Sequence, residues 1–137
     1  MRKSGGEFDE CMQCLCFGLR RAARAITQHY ERHLREHGLR ATQFTLLTTL
    51  AIAGPMPMQR LAAQLGVERT TLTRNLGPLQ ARGLVEAMDS DDRRVRVVGI
   101  TAKGRAAIRA ALPAWRKAQS AARAKLARLG WQESARG

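Results

Sequence analysis

The segment from residue 58 to 101 constrains this chain most, because few architectures accept its order of parts. Leu61, Ala62 and Leu65 give a short helix one apolar face, and Gly66 ends it. Val67 opens a second helix, Glu68-Arg69-Thr70-Thr71-Leu72-Thr73-Arg74-Asn75-Leu76, which closes before Gly83. Residues 84–88 and 95–100 then read as two short strands, joined by the polar turn Asp89-Ser90-Asp91-Asp92. Helix, tight turn, helix and charged hairpin predict a winged helix-turn-helix, an arrangement suited to holding duplex DNA.

The flanks read as helix. Leu15, Leu19, Ala22, Ala23, Ile26, Tyr30 and Leu34 recur at three- and four-residue spacing and predict a helix over about 7–36, ended near Gly38. A second helix is expected over 42–53, with Phe44, Leu47, Leu50 and Ala51 on one face. Gly54-Pro55 stops it, and Pro57 keeps the next connection extended. Thr101 is placed to cap a last helix over 102–128, which Pro113 is expected to kink. Residues 130–137 show no periodicity and are expected to be disordered. The fold class is therefore mainly α with a small β-hairpin wing, in a single domain over 1–137.

Composition narrows the partner. Twenty-four Lys and Arg stand against eleven Asp and Glu, a net charge of +13 that favours a polyanion. An anionic membrane surface competes, but no apolar run approaches the ~20 residues of a membrane helix, and no signal peptide is visible. The three cysteines cluster at Cys11, Cys14 and Cys16 instead of spreading as a disulfide framework, so a cytoplasmic protein with reduced thiols is expected. The basic segments carry no interleaved aromatics of the kind that stack single-stranded bases, which tilts the choice to duplex DNA.

A helix turns ~100° per residue, so the faces of the second motif helix follow from spacing. Leu72, Leu76 and Leu79 form the buried stripe. Thr70 and Arg74 lie almost opposite, with Thr71, Thr73 and Gly77 beside them and Arg69 and Asn75 on the flanks. Arginine grips guanine with two hydrogen bonds, asparagine does so for adenine, and threonine methyls suit thymine. A solvated amphipathic face is the plainer reading, but three threonines in four positions have no propensity reason to be there. Pro78 falls after the groove-facing half. At the hairpin, Arg93, Arg94 and Arg96 suit a minor groove, and Asp91 or Asp92 is expected to orient one of them by a charge-assisted pair.

At these residues the chain resembles the MarR family of bacterial transcriptional regulators. The resemblance rests on Asp92-Arg93-Arg94, Ile100-Thr101-Ala102-Lys103-Gly104, Leu61-Ala62 and the run from Arg69 to Arg74, and covers about residues 11–119. It implies a homodimeric winged helix on a pseudo-palindromic operator, a repressor released by a small ligand or by oxidation. It assigns DNA contact to Arg69, Thr70, Thr71, Thr73, Arg74 and Asn75, with Arg94 on the wing. It also implies dimerisation through the first and last helices (7–36 and 102–128), with 42–101 as the DNA-binding part. Family members usually continue into a further C-terminal helix.

The cysteines carry the alternative, a thiol-based peroxide or metal sensor of the same fold. In one intact helix Cys11 and Cys14 lie ~60° apart while Cys16 is ~160° from Cys14, so all three cannot bind one ion. His29, His33 and His37 form a separate stripe, read as a polar face. No metal or cofactor is expected. Cys16-Phe17 and Leu19 are similar to the start of the family's organic-hydroperoxide sensors, and Tyr30 holds the place of one of their two activating tyrosines, while Ala41 holds the other. Small apolar packing is the competing role for the cysteines. A small thiol enzyme lacks a paired base or phosphate loop, so no enzyme is expected. A non-specific architectural DNA binder is the remaining class.

Overall fold

The computed structural model describes residues 5–128. Five α-helices and three short strands follow one another: α1 Leu15–Leu34, α2 Ala41–Ala53, β1 Met56–Pro57, α3 Met58–Leu65, α4 Arg69–Ala81, β2 Val85–Met88, β3 Val97–Ile100 and α5 Ala102–Arg128. The expected tail over 130–137 lies outside the described residues.

α2 is the centre of the molecule. Gln43, Phe44, Leu46, Leu47 and Leu50 are all buried, because α1, α4, α5 and β3 surround it. The backbone N–H of Arg40 donates to Gln43 Oε1 at 3.0 Å, satisfying a donor at the start of α2. Leu61, Leu72 and Leu79 close the core from α3 and α4, and Leu84 and Val98 do so from the sheet side. Each such burial contributes about 2 kcal/mol. α5 packs against α1 and buries Ala111, Ala118 and Ala122, small residues along its inner face. Phe44 stacks on Trp115 with ring centroids 6.0 Å apart. α5 runs without interruption through Pro113.

Three sequence expectations need correction. The first helix starts at Leu15, not near residue 7: Asp9–Gln13 is a 3-10 turn, and Cys14 is extended at ψ 121°. Every side chain from residue 5 to 25 is exposed, but from Leu15 onward the chain is continuous with the packed turns after Ile26, whereas the extended Cys14 cuts the preceding segment off from them. The wing also has a third strand. β1 pairs antiparallel with β3 (Met56 with Val98, Pro57 with Val97), and β3 pairs with β2 (Val85 with Ile100, Met88 with Val97). Pro57 is tolerated because β1 is an edge strand of the order β1-β3-β2. Lastly, His29 and His33 are half-buried structural groups and not a solvated stripe: His29 Nε2 lies 2.9 Å from the Ala118 carbonyl of α5.

Candidate nucleic-acid interface

Gly66 turns the chain between α3 and α4 in the left-handed conformation (φ 64°), and Val67 N–H bonds back to Ala62 O. α4 then buries Leu72, Leu76 and Leu79 and leaves Arg69, Thr70, Thr73 and Arg74 exposed in its first half. The Thr73 hydroxyl donates to Arg69 O at 3.0 Å, which restrains its rotamer and leaves the oxygen lone pairs free to accept. This short, polar face suits base edges in a major groove.

The wing is ordered by its own polar groups. Asp92 Oδ1 accepts the backbone N–H of Arg94 at 3.0 Å, Val95 N–H donates to Asp92 O, and the Ser90 hydroxyl donates to Asp92 O and Val95 O. Asp92 therefore builds the turn and does not pair with a guanidinium, as an Asx side chain does where the backbone would otherwise leave a donor open. Among the described residues, the ion pair is Arg40 with Glu31 at 3.5 Å. Arg69, Arg74, Arg93, Arg94 and Arg96 meet no carboxylate among them.

The fold brings four arginines to one cleft. Arg60 at the start of α3, Arg69 at the start of α4, and Arg94 and Arg96 of the wing line it together with Pro57 and Gln59. Met58 N–H donates to Arg96 O at 2.9 Å and fixes the wing against α3. Four uncompensated cations around one opening are a phosphate cradle in their chemistry. Sequence reading missed Arg60, although its place beside Leu61 on an amphipathic helix marks it as exposed.

Thr71 and Asn75, which the sequence placed with the groove-facing group, are half-buried instead. Both line a cavity of about 330 Å³ together with Thr27 and Tyr30 of α1, Thr45 of α2 and Trp115 of α5. Around α4 they stand between the Thr70–Arg74 face and the leucine stripe, and packing against α2 claims that side. The cavity thus touches the back of the helix whose front is exposed.

The end of α4 is tied to both flanking helices. Arg82 Nη1 donates to Gly38 O at 2.6 Å, just before α2. Gly38 is left-handed (φ 65°), and a Cβ there would stand 3.4 Å from the guanidinium. On the other side, the Thr101 hydroxyl donates to Gly83 O at 2.6 Å and accepts the Gly104 N–H at 3.0 Å, capping α5. A Cβ on Gly104 would lie 2.1 Å from Leu84 O, so only glycine permits this approach.

Cys11, Cys14 and Cys16 are exposed around the junction where the 3-10 turn gives way to α1. Cys14, Cys16, Phe17, Arg20, Arg21 and Arg24 line one shallow surface groove. Tyr30 is not beside them: it stands fourteen residues beyond Cys16 on α1, about 21 Å along the axis. Its hydroxyl donates to Gln119 Oε1 of α5. Among the described residues no group of three His, Cys, Asp or Glu is placed to hold a metal ion. No helix among them is long and apolar enough to cross a membrane.

Comparison with known proteins gives a consistent result. The sequence model of the MarR family matches residues 37–95. The HTH-type transcriptional regulator MhqR of Bacillus subtilis (strain 168) is 32% identical over 87 residues, covering 63% of this chain and 60% of that protein. The chain spans about three fifths of the length of the curated relatives it matches. Among solved structures, the M. tuberculosis transcriptional regulator MosR in complex with DNA is 43% identical, with a TM-score of 0.72 over 85% of this chain and 93% of that one. Reduced AbfR bound to DNA is 26% identical, with a TM-score of 0.70 over 79% and 80% of the two chains. All of these relatives are regulators or DNA complexes by description.

Proposed function

The chain belongs to the MarR family of winged-helix transcriptional regulators, and we propose on that basis that it is a sequence-specific DNA-binding regulator, most simply a repressor. It works by binding and not by turnover, in the cytoplasm. One observation carries the reading: the exposed face of Thr70, Thr73 and Arg74 stands beside a cleft of four arginines that no carboxylate among the described residues neutralises. In this reading α1 and α5 hold two copies together, so that two α4 helices address the half-sites of a pseudo-palindromic operator. Thr70 and Arg74 read bases, Arg60, Arg69, Arg93 and Arg96 hold phosphates, and Arg94 enters the minor groove. Similar proteins bound to DNA support it.

Release is proposed to run through the cavity behind α4. A small ligand there presses on Thr71 and Asn75 and so on the helix that carries Arg74. A second route rests on the exposed thiols: oxidation of Cys14 or Cys16 acts at the junction before α1, with Cys11 nearby. The test is selection of bound duplexes from a random pool, followed by footprinting. An enriched inverted repeat is expected, bound at least ~10³-fold more tightly than random DNA. Equal recovery of all sequences would reduce the protein to a non-specific architectural binder.

A further inference from the structure

The cavity behind α4 has a chemistry that narrows what it can hold. In a chain that is 26% charged, none of its fifteen lining residues is Lys, Arg, His, Asp or Glu. Leu34, Phe44, Leu46 and Leu72 are buried around it. Phe44 and Trp115, stacked 20° from parallel, give it a flat aromatic wall. Its exposed lining residues are Thr42 and Thr45 of α2. It therefore opens beside α2, in the winged helix, and not along the faces of α1 and α5 that the reading above gives to a second copy.

The polar groups of the lining fall into two sets. The Thr27 and Thr45 hydroxyls give their hydrogens to Ala23 O and Ala41 O at 2.9 and 3.1 Å, and the Tyr30 hydroxyl gives its own to Gln119 Oε1. What these three offer a guest is a lone pair. Thr71 and Asn75 differ: both are half-buried, and neither side chain makes a hydrogen bond among the described residues. A carboxamide sets two donors beside an acceptor. Left unpaired in apolar surroundings it costs free energy, which a guest with the matching edge recovers.

We propose that the cavity takes an uncharged, flat two-ring compound whose edge sets a hydrogen-bond donor next to an acceptor, an aromatic lactam or amide, and that Asn75 reads this edge. The inference deepens the release reading above and rests on it for the consequence of binding. A donor beside an acceptor meets the carboxamide with two parallel hydrogen bonds, the same match that asparagine makes with adenine. The volume of about 330 Å³ lies at the small end of the ~300–1,000 Å³ of small-molecule sites, which suits two fused rings. A carboxylate of the same size would be stripped of water against a lining that holds no cation to pair with it. The cations of this chain thus serve the polyanion, and the cavity that governs its release is kept clear of them.

The experiment measures, by calorimetry on the full chain, the affinity of three probes of one ring size. 2-Quinolone carries a donor beside an acceptor, quinoline an acceptor alone, and 2-naphthoate a negative charge. Wild type is expected to bind 2-quinolone at least ~10-fold more tightly than quinoline. 2-Naphthoate should bind at least ~100-fold more weakly than 2-quinolone. Asn75→Leu keeps an apolar cavity and removes the edge. It should hold quinoline within about threefold of wild type and lose the preference for 2-quinolone. Retained quinoline binding shows that the variant is folded. The inference is overturned by 2-naphthoate binding as tightly as 2-quinolone, by quinoline matching 2-quinolone in wild type, or by a preference that survives in Asn75→Leu. Failure of every probe to bind wild type overturns it as well. If the expected order holds but 2-quinolone leaves operator affinity unchanged, the ligand class stands and the release route falls. A wild type that prefers no duplex overturns the regulator reading and leaves the calorimetric order as it is.

Discussion

The winged-helix head and the helical frame around it use arginine in opposite ways. In the head, arginines are few and positioned: Asp92 holds the backbone of Arg94, Met58 holds that of Arg96, and the cleft gathers both with Arg60 and Arg69. In the frame they are many, and α5 has no acid to position them. Placement serves recognition, because a base edge rewards one geometry. Quantity sets the field of the whole molecule, which draws a polyanion without fixing a geometry. Net charge alone pointed to nucleic acid from the sequence, yet most of that charge does not belong to the part that reads it.

The sharpest way to break the comparison is at the joint between head and frame. Gly104→Ala puts a Cβ 2.1 Å from Leu84 O and 2.7 Å from Ile100 Cγ1, which only a shift of α5 relieves. A loss of about 3 kcal/mol in unfolding free energy is expected, at the upper end of overpacking costs. Denaturant titration should show a lower midpoint with an unchanged slope. An unchanged midpoint would mean that head and frame are not rigidly joined. Next in size, Arg74→Ala should cost about 1–3 kcal/mol on the selected operator and almost nothing on random DNA, flattening the preference at one base pair. A uniform loss on all sequences would move Arg74 from reading to phosphate contact.

How much of this was legible in the sequence follows the range of the interactions. The leucine stripe of α4 and the Thr101 cap are set by spacing within a few residues, and both stand where periodicity put them. β1 is two residues long, too short for any period, and exists only because β3 lies beside it. The arginine cleft joins three separate segments, so Arg60 had no local signal beyond exposure. Thr71 and Asn75 stand at nearly the same angles from the leucine stripe as Thr73 and Arg69 on its other side, and only packing from other helices tells those two pairs apart. The segment before Leu15 misled for a different reason: the apolar spacing starts only at Leu15, and the residues before it carry no local signal that places the helix start.

A finer test separates placement from charge within the head. Arg82 touches the frame at Gly38 O and is kept apart from the bases in the proposed reading. Arg82→Ala should cost about 1 kcal/mol on the operator, the worth of one exposed hydrogen bond. Its specific signature is a weaker preference for the native half-site spacing over spacers one base pair longer or shorter. Arg82→Lys, which can still reach the carbonyl, should restore part of that preference. Spacing discrimination that survives in the alanine variant would show that the Gly38 contact only adds stability.

The smallest effect is expected at the wing. Arg94→Ala removes one cation from a cleft that keeps Arg60, Arg69 and Arg96, and Asp92 holds the backbone of residue 94 whatever side chain it bears. The turn should therefore keep its shape. Binding should weaken by a similar factor on operator and random duplexes, and the salt slope should fall by about 1. This profile is the reverse of that for Arg74→Ala, so the pair of variants, titrated on the same two duplexes, divides the head into a part that reads and a part that holds. If Arg94→Ala lost affinity on the operator alone, the wing would be reading groove shape, since a narrow minor groove concentrates potential only at particular sequences. Its arginine would then stand with Arg74 among the placed groups, and the contrast with α5 would widen.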